Sequence, residues 1–200
     1  MDTFFKPVIV AMVMVWIGTA SPASGKEPLD ELKQPIDKVI EILRDPLYRD
    51  EAKKKLQREK IWDVIRTHFD FLEISKRSLA RNWLVFTPKE RKEFTEVFGD
   101  FLGEIYIDKL QGEFQDEKVV YVGQEMVSDS KALVKTTVIR KTAEIPMNYS
   151  MLKNNDGWKI YDVNIEGVSL VQNYRTQFNQ TLSKESPAQL IERLRNKNQP

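Results

Sequence analysis

The chain has 200 residues, 41% of them apolar and 30% charged, which is enough for one globular domain with a sizeable core. Its formal net charge is +1; this near-balance gives no support to nucleic-acid binding, which needs a basic excess gathered on one face. The sequence has no cysteine and a single histidine, His68, so disulfides, thiol catalysis, cysteine metal sites and a paired-histidine zinc site are excluded.

The first stretch, MDTFFKPVIVAMVMVWIGTASPASG, places Lys6 before an apolar run from Pro7 to about Ile17, and small residues follow from Gly18 to Ser24. This is the pattern of a secretory signal peptide, with cleavage expected near Ala23 or Ser24, giving a signal segment 1–24 and a mature chain 25–200. The apolar run is shorter than the ~18–20 residues that a spanning helix needs, and without a cysteine after it lipoprotein processing is excluded. The expected location is outside the cytoplasm.

The mature chain reads as a helical region 28–112, a sheet 117–166 and C-terminal helices 168–197, in one two-lobed domain. Ile36, Val39, Ile40 and Leu43 have the spacing of one helix face between Pro35 and Arg44, and Pro46 ends that helix. Residues 49–67 continue as helix with Leu56, Ile61, Trp62 and Ile65 on the apolar side. Asp70 and Glu73 form a capping-box pattern for a helix through Leu79 and Trp83. Thr87-Pro88-Lys89-Glu90 is the clearest helix start; it opens an amphipathic helix of about 22 residues, on the order of 33 Å long. Phe94, Val97, Phe98, Phe101, Leu102 and Ile105 lie along one side of it.

After Gly112 the period changes to that of strands. Lys118–Val127, Lys131–Lys141, Glu144–Leu152 and Trp158–Ile165 are separated by turns at Ser128–Ser130 and Asn154–Gly157, so four strands at hairpin spacing predict an antiparallel meander. Pro146 predicts that the third strand is at an edge or bulged. Helix returns after Gly167 with Val171, Tyr174, Phe178 and Leu182, and Ser186–Gln189 caps a last helix. The predicted class is α+β: helices packed on a curved four-stranded antiparallel sheet, an NTF2-like cone with extra helices.

Candidate sites are few. Asp162 has the position of a general base in a pocket, but it shares strand parity with Asn164 on the wetter side, and the ordinary reading is a capping carboxylate. Ser169 follows Gly167 without the second glycine of a hydrolase elbow, and reads as a helix N-cap. His68 has no partner in the sequence for metal or triad chemistry. The run from Glu51 to Lys60 interleaves acids and bases as a solvated helix face does. The most informative feature is a stripe of aromatic and apolar residues. Phe94, Phe98, Phe101, Ile105 and Tyr106 on the long helix face Val134, Val138, Met147, Tyr149, Met151 and Val163 on the sheet. This stripe is either a dry core or the wall of an apolar cavity.

Two long stretches carry a family resemblance. FDFLEISKRSLARNWLVFTPKERKEFTEVFGDFLGEIYIDKL, Phe69–Leu110, and GWKIYDVNIEGVSLVQNYRTQF, Gly157–Phe178, resemble the MlaC/toluene-tolerance family of periplasmic phospholipid-binding proteins. The shared features are F-D-F, R-x-W at Arg81–Trp83, T-P-x-x-R, then the D-G-W-x-x-Y-D strand with E-G-V-S after it. Leu84 departs from the pattern, which has a basic residue there. The resemblance implies a soluble carrier that holds lipid tails in a cavity between helices and sheet, with bound phospholipid as cargo and no cofactor. It implies as partners an inner-membrane MCE-domain ring with its ABC transporter and an outer-membrane lipoprotein complex, and a monomer in between. On that reading the stripe is the lipid-binding wall, Tyr161, Val163 and Ile165 face inward as part of it, and Arg81, Arg140 and Arg175 are headgroup candidates at the mouth. Three other readings stand beside it: a carrier of another amphiphile such as a hopanoid, a small cone-fold enzyme using Asp162, and an exported adaptor with a filled core.

Overall fold

The structure is a computed structural model that describes residues 27–197; the expected signal segment 1–24 lies outside them. Helix α1, Pro28–Arg44, begins earlier than the apolar spacing predicts. Pro28 sits in its first turn, where a missing N–H costs nothing. Asp30 and Glu31 in the first turn and Arg44 in the last complement the helix dipole. Two 3-10 turns, capped by the side chains of Asp45 and Asp50, lead to α2, Lys54–His68. Helix α3, Phe71–Leu79, is capped by Asp70, but Glu73 pairs with Arg77 at 2.6 Å instead of closing a capping box. It ends at Ala80, whose φ of 49° turns the chain into a 3-10 segment over Ala80–Leu84 where the sequence predicts more helix. Helix α4, Pro88–Glu113, carries the full capping box of Thr87 and Glu90 and runs 26 residues, about 39 Å.

The strands β1, Lys118–Ser128, β2, Lys131–Ile139, β3, Glu144–Asn154, and β4, Gly157–Ile165, form an antiparallel meander. A fifth, β5, Val168–Ser169, is added to β4, so the sheet has five strands and not four. The cause is the two-residue turn at Glu166 and Gly167, with φ of 51° and 88°, a pair of positive φ values that folds a strand straight back on itself. Pro146 departs from expectation as well, because β3 is a central strand and the β2–β3 register runs through Pro146 without a bulge. Its carbonyl accepts from Glu166 N, on the side where the β3–β4 ladder only begins at Met147 and Ile165. Its missing N–H therefore faces a place where no strand offers an acceptor. After β5 come α5, Leu170–Leu182, and α6, Pro187–Lys197.

Packing divides the domain into two lobes bridged by α4. Phe94, Phe98, Phe101 and Leu102 from its first half lock into Ile74, Leu79, Phe86, Val171, Tyr174, Phe178 and the apolar face of α6. Ring centroids of Phe98, Tyr174 and Phe178 lie 5.0–5.6 Å apart, close enough for edge-to-face contacts. The second half of α4 crosses to α1 and α2, where Ile107 packs with Ile42, Tyr48 and Ile61. A third cluster joins Leu32 of α1 to Ala132, Val134, Met151, Trp158 and Ile160 at one end of the sheet.

Gly103 sets how closely α4 and α2 approach, since a Cβ there would stand 2.7 Å from Trp62 Cζ3. Gly103→Val is expected to lower unfolding free energy by about 2 kcal/mol through overpacking, measured as a shift in the denaturant midpoint.

Candidate functional site

One broad face of the sheet is apolar and is not filled by side chains from the helices. Residues opposite each other in the register share a face, and on β2, β3 and β4 that face carries Val134, Thr136 and Val138, then Ile145, Met147, Tyr149 and Met151, then Ile160, Val163 and Ile165. Between it and α1, α2 and α4 is a cavity of about 570 Å³, a volume in the usual range of ligand pockets. The α1 wall is Pro35, Ile36, Val39, Ile40 and Leu43; the α2 side adds Val64, Ile65 and His68. Helix α4 presents Leu102, Gly103, Tyr106, Lys109, Leu110 and Glu113, a helical stripe that ends in charge.

The cavity is closed at one end and open at the other. At the closed end, Leu32, Ala132, Val134, Met151 and Trp158 are each no more than 4% exposed and pack as a floor. The residues that line the cavity and are also exposed are Lys109, Leu110, Glu113, Arg140 and Glu166, so they mark its mouth. They come from the end of α4, the end of β2 and the turn after β4. Arg140 ties this rim together: its guanidinium lies 3.2 Å from Glu117 and 3.5 Å from Glu113. Arg44 Nε donates to Asp116 at 2.6 Å beside it, so two arginines hold the loop after α4 against α1 and the sheet.

The candidates named from sequence separate into groups. Tyr106, Val138, Met147, Tyr149, Val163 and Ile165 line the cavity, and Arg140 stands at its mouth. Val134 and Met151 are buried in the packed cluster with Leu32 and do not themselves line the cavity. Phe94, Phe98, Phe101 and Ile105 pack in or against the helical core and not on the cavity wall, because α4 turns that part of its apolar stripe toward α5 and α6. Tyr161 is displaced by a bulge: Ser150 pairs with Asp162 but Met151 with Ile160, leaving Tyr161 unpaired. It packs against the helical core instead, under the Arg77 guanidinium at 4.2 Å. Arg81 lies on the 3-10 segment before α4, and Arg175 Nε donates to the carbonyl of Arg77; both are in the helical lobe, away from the mouth. The wall residues of α1 and α2 were legible as apolar faces, but the sequence held no sign of what they face.

Asp162 borders the cavity, and its oxygens are committed elsewhere. Ser169 Oγ donates to one at 2.6 Å and Val171 N to the other at 3.0 Å. Ser169 Oγ in turn accepts from Gln172 N, so the carboxylate and the hydroxyl together cap α5, where the helix dipole favours negative charge. His68 Nδ1 donates to the carbonyl of Val64 at 2.8 Å. Burial raises the pKa of Tyr106 and of Tyr149, keeping both phenols neutral. Among the described residues no group of three or more His, Cys, Asp or Glu is placed to hold a metal ion, and no helix is long and apolar enough to cross a membrane.

Such geometry defines a class of protein before it defines a partner: an α+β protein with an apolar cavity walled by three helices and a sheet, with a packed floor and a charged rim. The chain belongs to the MlaC family, whose description, MlaC protein, matches residues 33–196. Among solved structures it is similar to the phospholipid-binding protein from Ralstonia solanacearum, determined in complex with a phospholipid. The two are 25% identical, with a TM-score of 0.74 over 86% of this chain and 97% of that one. No curated protein sequence matches the chain significantly.

Asp162→Ala removes an acceptor shared by Ser169 and the N-terminus of α5. It is expected to cost about 2 kcal/mol of stability, the range for hydrogen bonds to a charged group, with the loss read from thermal or urea unfolding.

Proposed function

We propose that the protein is a soluble periplasmic phospholipid carrier, holding acyl tails in the cavity with the headgroup at the rim of Lys109, Glu113, Arg140 and Glu166. The observation that carries this reading is the cavity itself: a mostly apolar chamber with a packed floor and exposed charge at its opening suits a molecule with a long apolar part and a polar end. Family membership and the likeness to a phospholipid-binding protein support the choice of phospholipid over another amphiphile.

Such a carrier needs no catalytic group. Withdrawing tails from a membrane into water costs roughly 0.8 kcal/mol per CH₂, which makes unassisted transfer slow. A cavity that offers the tails an apolar medium removes most of that cost in both directions. Direction then comes from partners, and family membership supports an Mla-type system, with an inner-membrane MCE-domain protein of an ABC transporter at one end and an outer-membrane lipoprotein complex at the other. On this reading the carrier travels between them as a monomer, and residues 1–24 are the signal peptide that exports it.

Filling the chamber tests the proposal. Val138→Trp, on the cavity wall, is expected to reduce uptake of labelled phospholipid from vesicles at least tenfold with the fold retained by circular dichroism. Phe98→Leu, in the dry helical core, is expected to lower the melting temperature and leave uptake per folded molecule unchanged. Equal uptake by the Val138 variant and the unmodified protein would contradict the assignment of the cavity.

A further inference from the structure

The cavity wall contains a hydroxyl whose present partner is a poor one. Tyr149 lies in the central strand β3, opposite Val134 on one side and Val163 on the other, and lines the cavity. Its Oη donates to Met147 Sδ at 2.9 Å. A thioether sulfur is a weak acceptor, whereas a buried tyrosine hydroxyl ordinarily meets oxygen or nitrogen. Burial raises the Tyr149 pKa, so the group remains a donor at physiological pH.

Its position matters as much as its chemistry. Along β3, the acceptor Met147 lies on the mouth side of Tyr149, toward Ile145. Met147 is two residues along β3 from Ile145, which pairs with Val138 beside the rim residue Arg140, a distance of about 7 Å at ~3.3 Å per residue. The residue that accepts from the hydroxyl therefore stands one strand step below the pair beside the charged rim, on a face that is apolar apart from Thr136 opposite it. In a phospholipid whose headgroup occupies that rim, the first polar atoms below the phosphate are the ester carbonyls that join the acyl chains to glycerol. An ester carbonyl is a stronger acceptor than a thioether, and an ether-linked chain has no carbonyl at all.

We propose that the Tyr149 hydroxyl donates to an ester carbonyl of the bound lipid, exchanging sulfur for oxygen, and so makes the site prefer ester-linked over ether-linked chains. The proposal rests on the carrier reading and names a specificity determinant within it.

The test offers the mature protein vesicles equimolar in diester and diether phosphatidylethanolamine of equal chain length, and reads the bound lipid by native mass spectrometry. The unmodified protein is expected to hold the diester about fivefold over the diether, the factor that one net hydrogen bond of about 1 kcal/mol supplies. Tyr149→Phe is expected to bring the ratio near one. Met147→Leu, which removes the competing sulfur and leaves the hydroxyl, is expected to raise the ratio, and it decides the matter should the phenylalanine variant fail to fold. A ratio near one in the unmodified protein overturns the role of Tyr149. So does an unchanged ratio in the phenylalanine variant, or an unchanged or lower ratio in the leucine variant. Uptake of neither lipid by the unmodified protein overturns the carrier reading itself, an outcome plainly different from uptake without preference.

Discussion

Protein interiors are ordinarily packed as densely as organic crystals, so a chamber of about 570 Å³ survives only if its walls are held apart by something outside it. Here that something is the aromatic cluster that grips the first half of α4. Phe94, Phe98 and Phe101 interlock with Tyr174 and Phe178, and the helix then continues unsupported by core on the cavity side. Its second half is a beam, fixed in the helical lobe and leaning against α2 through Gly103 and Trp62. Were α4 two helices with a loop between them, the distal half could settle onto the sheet and fill the space.

The remaining walls are held by similarly remote contacts. At its start α1 is tied to the sheet by Leu29 N donating to Gln124 at 2.8 Å and by Leu32 in the floor; at its end Arg44 reaches Asp116. Between these anchors its apolar face looks into the cavity. The bulge at Tyr161 lets one strand serve two lobes, sending Tyr161 to the helical core while Val163 and Ile165 stay on the cavity wall. The cap formed by Asp162 and Ser169 holds α5 to that same strand. A carboxylate at the cavity edge is thus explained by helix geometry, with no proton transfer required of it.

Much of this was legible in the sequence and some was not, for identifiable reasons. Helix starts at Thr87 and Ser169 follow from side chains that bond to backbone within three residues, which is local chemistry. Strand positions follow from alternation. By contrast, the stripe from Phe94 to Tyr106 is continuous in sequence yet serves a dry core in one half and a cavity in the other, and periodicity reports only that a face is buried. The parity of β4 reads as unbroken because a bulge leaves no trace in residue type, so Tyr161 falls on the wrong wall. Pro146 in a central strand is tolerable only because β4 has ended beside it, a fact about the neighbour rather than about the proline. Arg140 is drawn to the rim by Glu113 and Glu117, partners more than twenty residues away that no local pattern connects.

On the proposed function, the chamber between α1, α4 and the sheet holds a phospholipid in the working protein. The most direct measurement is native mass spectrometry of the unmodified mature chain, produced by export in a bacterium and purified without detergent. The expected mass exceeds that of the polypeptide by one phospholipid, with the lipid released intact on organic extraction. A bare polypeptide mass that persists after incubation with phospholipid vesicles would contradict it.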